Sequence, residues 1–127
     1  MGFSFLGRRE AGLSFVIDGG GAEITTGEKG HIDVPFKCTI AGQRLFADQS
    51  GSIVIDIWKD TYANFPPTVA DTITAAAKPT IAAGIKDSDD TLTGWTKSLA
   101  KGEILAFNVD SVTTIQRCTV VLRLIKA

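Results

Sequence analysis

Three groups of residues in this chain have types that could do chemistry. The first centres on His31, the only histidine, in "KGHIDV". Acid–base and nucleophilic catalysis are most often built on an imidazole oriented by a carboxylate and set beside a hydroxyl or thiol. Strand alternation places Asp33 on the same face as His31, but no Ser or Cys in a nucleophile motif accompanies the pair, so His31 reads as a surface histidine. The second group is the acidic "KDSDD", whose Asp87, Asp89 and Asp90 are hard oxygen ligands of the kind Ca²⁺ takes. It lacks the glycine and the downstream bidentate Glu of an EF-hand loop and reads as a solvated acidic loop. One His and two widely separated cysteines, Cys38 and Cys118, do not supply zinc-site spacing either. The glycines of "DGGGAE" lack the G-x-G-x-x-G pattern and a following helix that would aim amides at phosphate, and read as a hairpin turn. The expectation is a non-enzymatic chain with no catalytic residue, metal or cofactor.

The third group is aromatic. In "DIWKDTYANFPPTVAD" Trp58, Tyr62 and Phe65 stand beside Pro66 and Pro67, and Trp95 follows in "TLTGWTK". Such side chains present large apolar area at low entropic cost and can stack on a sugar ring or anchor a protein interface. They can equally fill the corners of a β-structure, with the proline pair stiffening a corner occupied by Phe65. The packed or subunit-interface reading is preferred, because aromatics at such corners usually pack.

The elements that must position these groups have a period of two. In "SIVIDIWK" Ile53, Ile55 and Ile57 alternate with Val54, Asp56 and Trp58; in "CTVVLRLIK" Cys118, Val120, Leu122 and Leu124 share a face; in "EILAFNVD" Leu105, Phe107 and Val109 do. With "LSFVID", "HIDVPF" and "CTIAGQRLFA" this makes at least six strands, separated by the turn clusters "DGGG", "TGEKG", "DQSG", "KDSDD" and "AKG". Regular spacing without long helical periods predicts an all-β antiparallel sandwich or barrel. In "TVADTITAAAKPTIAAGIK" a turn or short helix is expected over residues 68–77, ended by Pro79 and followed by an irregular or edge-strand segment.

At 127 residues, 44% hydrophobic and 21% charged, the chain has the composition of one folded domain. Its formal net charge of −1, with Lys and Arg scattered, gives no source for the counterion release that drives nucleic-acid binding. No apolar run is long enough to cross a bilayer, and "MGFSFLGRRE" has neither a secretory pattern nor the Ser or Thr at position six that myristoylation wants. A soluble species with neither nucleic acid nor membrane as partner is expected, its cysteines buried and free. Residues 1–12 read as an N-terminal arm that packs against a neighbour or the parent domain, ahead of a single domain over 13–127.

The stretches "DVPFKCTI", "LFADQSGSIVIDIWKDTYANFPPTVADTIT", "KPTI" and "LTGWTKSLAKGEILAFNVDSVTTIQRCTVVLRLIK" together resemble a widespread phage module found as small virion proteins and as terminal domains of tail and fibre proteins. The resemblance runs from Leu13 to Lys126 and is densest from Ala47 to Thr74. It implies a phage virion structural protein, made in the host cytoplasm, with a β-sandwich of jelly-roll type assembled as a homotrimer, and it carries no catalytic residues. Head decoration, a cement protein bridging capsid subunits, suits a free-standing domain preceded by an arm. On that reading Phe3, Phe5 and Leu6 would give apolar anchorage, with Arg8 and Arg9 meeting an acidic partner such as the major capsid protein or another virion protein. The alternative is a tail or fibre receptor-binding domain whose Trp58, Tyr62, Phe65 or Trp95 stacks on glycan.

Overall fold

The computed structural model of the protein describes residues 9–127. Seven strands follow in chain order: β1 Glu10–Asp18, β2 Gly27–Asp33, β3 Cys38–Asp60, β4 Thr80–Asp89, β5 Ser98–Leu99, β6 Ile104–Thr113 and β7 Arg117–Lys126. All pairings between them are antiparallel, in the order β1-β7-β3-β6-β2, with β4 and β5 also on β3. The all-β, antiparallel expectation holds.

The layering comes from one sheet that curls on itself at β3. Residues 38–47 of this 23-residue strand pair with β7, residues 52–60 pair with β6, and β4 runs along the opposite edge of both parts. The change of partner falls at Gly51. A Cβ there would collide with the carbonyl oxygen of Thr113 and lie 2.8 Å from Ile115 Cγ1, so the corner between β6 and β7 can cross the strand only where no side chain stands. The two halves then face each other. Phe15 of β1 stacks on Phe107 of β6 with ring centroids 4.6 Å apart and planes 6° from parallel. Gly30 of β2 makes room for that stack, since its Cβ would approach within 2.6 Å of Phe15 Cζ.

The alternating residues fill the space between the halves. Ile53, Ile55, Ile57, Leu105, Phe107, Val109, Cys118, Val120, Leu122 and Leu124 are all buried in one cluster. Each large aliphatic or aromatic side chain so buried contributes about 1.5–3 kcal/mol before chain entropy is counted.

Several local expectations change. "DQSG" is no turn but the middle of β3, because Gly and short polar residues serve a bend within a strand as readily as a reversal. "TGEKG" contributes Gly27–Gly30 to β2, with a register shift between Glu28 and Gly30, and "KDSDD" lies largely within β4. "DGGG" turns the chain, but β1 and β2 are not paired, so it links the two halves and closes no hairpin. The turn or short helix expected over 68–77 is the 3₁₀ turn Val69–Asp71 and the turn after it, and β4 is the strand that follows Pro79. β1 begins at Glu10, paired with Ile125, so residues 10–12 belong to the sheet and not to the arm. Phe3, Phe5, Leu6 and Arg8 lie outside the described residues.

Candidate functional site

The outer faces of the two halves are treated differently. Over β3, β6 and β2 the segment 61–79 folds back as a cover. Trp58 and Thr72 form an isolated bridge, and the Ile73 N–H donates to the Ile57 carbonyl at 2.9 Å. Under this cover Asp56, which points away from the core isoleucines, is only 1% exposed. Its Oδ1 accepts from the Thr72 hydroxyl (2.6 Å), the Thr74 hydroxyl (2.7 Å) and the Ile57 N–H (2.8 Å), and its Oδ2 from the Trp58 indole N–H (3.0 Å). Lys78 Nζ stands 3.8 Å from Oδ2 and 2.6 Å from Asp110. The bond to Asp110 raises the Lys78 pKa, against a smaller opposing effect of burial.

Asp56 therefore pins the cover and fixes Trp58 at its edge. Trp58 and His31 both pair with Ala106, so three adjacent strands bring them to one row. Phe65 meets His31 edge-on, centroids 4.7 Å apart, and His31 Nε2 lies 3.4 Å from Glu28 Oε2. With Pro66, Pro67, Thr68 and Val69 these residues line an open groove of about 430 Å³ whose walls are almost entirely carbon. Phe65 is 49% and Val69 65% exposed.

Two of the four aromatics expected on one surface do meet there: Trp58 and Phe65. Tyr62 projects into solvent, 80% exposed, and does not line the groove. Trp95 is buried in the core and donates its indole N–H to the Ala77 carbonyl at 2.8 Å, so it belongs to no platform. His31 is the residue that sequence reasoning set aside; its place depends on β2 and β3 flanking β6, which no local pattern encodes. Arg9, the last residue of the expected anchoring set and the only one described, is exposed, and its carbonyl accepts the Lys126 N–H at 2.8 Å.

Among the described residues, no segment covers the outer face of the other half. Val16, Thr119, Phe46 and Lys86 form one row across β1, β7, β3 and β4, with Val16 53% and Phe46 46% exposed. Around it Arg44, Lys86, Arg117 and Arg123 are exposed, and none forms an ion pair with a described residue. Two acids on this face, Asp18 and Asp48, are engaged with turns, while Glu10 and Asp90 line a cleft with Arg123. Asp18 Oδ1 accepts the Gly20 N–H at 2.8 Å, and Asp48 Oδ1 accepts the N–H groups of Gln116 (3.1 Å) and Arg117 (3.0 Å). Desolvation pushes the Asp48 carboxyl up, but these bonds together outweigh it and leave its pKa lowered.

Nucleophile chemistry has little to work with among the described residues. Cys38 and Cys118 are free and buried; burial raises both thiols, Cys118 to about 11. No group of three or more His, Cys, Asp or Glu among the described residues is placed to hold a metal ion.

No protein-family model matches the chain, and no curated protein matches its sequence. Among solved structures, the chain is similar at 11% identity and TM-score 0.35 to a serine protease of Aeromonas sobria, with 93% of this chain covering 27% of that one. Similarity to turnip yellow mosaic virus has TM-score 0.30 at 10% identity, covering 94% of this chain and 81% of that one. The corresponding values for the cyanophage Pam1 capsid asymmetric unit are 0.29, 11%, 93% and 82%.

Proposed function

We propose that the chain is a non-enzymatic virion structural protein, a decoration or cement subunit that bridges capsid subunits of a phage. The reading starts from the sequence resemblance, and one observation carries it further: a sheet face that no described segment covers, with Val16 and Phe46 exposed among Arg44, Lys86, Arg117 and Arg123. A partner that fits it is apolar at the centre and acidic at the rim, since exposed cations with no ion-pair partner among the described residues favour a surface of opposite sign. Copies of the chain, as homotrimers, cover the shell and share this contact among neighbouring capsid subunits.

Immunogold electron microscopy of intact particles with antibody to this chain tests the reading; label spread over the heads is expected. Label confined to the tail tip would favour the second reading, a receptor-binding domain using Trp58, Phe65 and His31 as a glycan platform. That reading ranks lower because a sugar needs polar partners for its hydroxyls, while the groove is nearly all carbon and the Trp58 N–H is held by Asp56.

A further inference from the structure

We infer that the groove of Trp58, Phe65, Pro66 and Val69 is the receptor for residues 1–8 of a neighbouring copy, so that exchanged N-terminal arms link copies of this chain. The inference does not depend on the virion reading. Its first ground is the groove itself, an open apolar trough with Phe65 and Val69 about half or more in water. Apolar concavities of this kind take apolar side chains.

The second ground is the occupant. Eight residues, "MGFSFLGR", precede Arg9, enough to reach roughly 26–29 Å when extended. In an extended chain Phe3 and Phe5 fall on one side, about 6.6 Å apart, which offers two aromatic anchors to a trough walled by aromatic and proline rings. The third ground is charge. Arg8 and Arg9 directly follow the apolar run, and the groove carries Glu28 beside His31 at its margin. Arm and groove thus match in both apolar and charged character.

The point of departure favours a neighbour's groove over the chain's own. The hydrogen bond from the Lys126 N–H to the Arg9 carbonyl sets the start of β1 in the half-sheet of β1, β7 and the first part of β3. The groove lies on the outer face of the opposite half. An arm bound in its own groove would have to pass from one half onto the outer face of the other, whereas a neighbour's arm can enter the open groove from solvent. Exchange of identical segments between copies is a low-cost way to build an oligomer.

The test uses the purified full chain and three variants in sedimentation and light scattering. Phe3→Ser with Phe5→Ser removes the arm's anchors, and Val69→Lys spoils the groove at an exposed position. Each is expected to weaken self-association at least tenfold while leaving the melting temperature unchanged. An equimolar mixture of the two should associate again, because one sound arm then meets one sound groove. A synthetic peptide of residues 1–8 should change Trp58 emission saturably in the Phe3/Phe5 variant and not in Val69→Lys, with Trp58→Phe identifying the signal. A wild-type chain that stays monomeric, variants that associate as wild type does, or a mixture that stays apart would each overturn the inference. No particles enter this test, so its failure leaves the head-labelling result untouched.

Discussion

Replacing Asp56 by Ala should be the most damaging single truncation outside the core. It deletes an acceptor that serves two hydroxyls, one backbone N–H and one indole N–H, and it leaves the Thr74 hydroxyl and the Ile57 N–H under cover without their partner. Hydrogen bonds to a charged group are worth about 1.5–3 kcal/mol each, but four on one carboxylate do not add. Removing one member of a buried charged network typically costs about 3–5 kcal/mol, and about 4 kcal/mol is the working figure. At ~2.1 cal/mol/K per residue, the unfolding entropy of 127 residues comes to roughly 0.27 kcal/mol/K. The melting temperature should therefore fall by roughly 15 °C. Asp56→Asn keeps an oxygen for Thr72 and Thr74 but turns a donor toward Trp58 and Lys78, so about half the loss is expected. Thermal unfolding followed by circular dichroism gives the order wild type, Asn, Ala, and Trp58 emission should red-shift in the Ala variant as the cover loosens. A cost of under about 1 kcal/mol for Asp56→Ala would refute the view that this carboxylate holds the 61–79 segment in place.

Further outcomes follow from packing and titration. Gly51→Ala should cost about 1–3 kcal/mol by forcing apart β3 and the β6–β7 corner; Gly84→Ala, whose added Cβ would meet nothing nearer than 3.8 Å, is the matched control in urea unfolding. Cys118 should resist alkylation in the folded protein at pH 8, because its thiol stays protonated up to about 11 while an unfolded one ionises near 9.0. Stability should accordingly decline from about pH 9 to 11, since only the unfolded state releases its proton in that window. Cys118→Ala should flatten that part of the stability–pH curve. Cys38, whose thiol burial also raises, keeps part of the decline above pH 9, and above the ordinary Lys pKa of 10.5 Lys78 adds to it, because its raised pKa makes its bond to Asp110 a contribution lost at high pH.

What was legible in the sequence depended on range. Alternation in "CTVVLRLIK" and "EILAFNVD" marked the buried faces of β7 and β6 correctly because a strand's two faces are written into neighbouring residues. The same rule put Asp56 on the face opposite Ile55 and Ile57, yet it could not show that a segment beginning at Thr61 would fold back and bury it. "DQSG" carried turn chemistry that a bend in a continuous strand also uses, so two strands were expected where one runs through. Trp58 and Phe65 stood out as neighbours in the chain, whereas Trp95, equally conspicuous, was drawn inward by its bond to Ala77. His31 joined the groove through a row spanning three strands, and only the strand order supplies that information.

The placement of β7 between β1 and β3 has a consequence for how the chain acquires its shape. β1 is the first strand in chain order and β7 the last of the seven, yet Glu10 is matched with Ile125 and Asp18 with Arg117 along the whole of β1. Until β7 has been synthesised, β1 has no partner in the sheet, and the first part of β3 lacks one of its two neighbours. Closing so large a loop before its contacts are rewarded makes for slow folding, dominated by distant pairings. Through that interval the nascent chain exposes unpaired edges carrying the apolar side of "LSFVID". A ribosome-bound fragment ending before Arg117 should thus need a chaperone's protection that the finished chain no longer does.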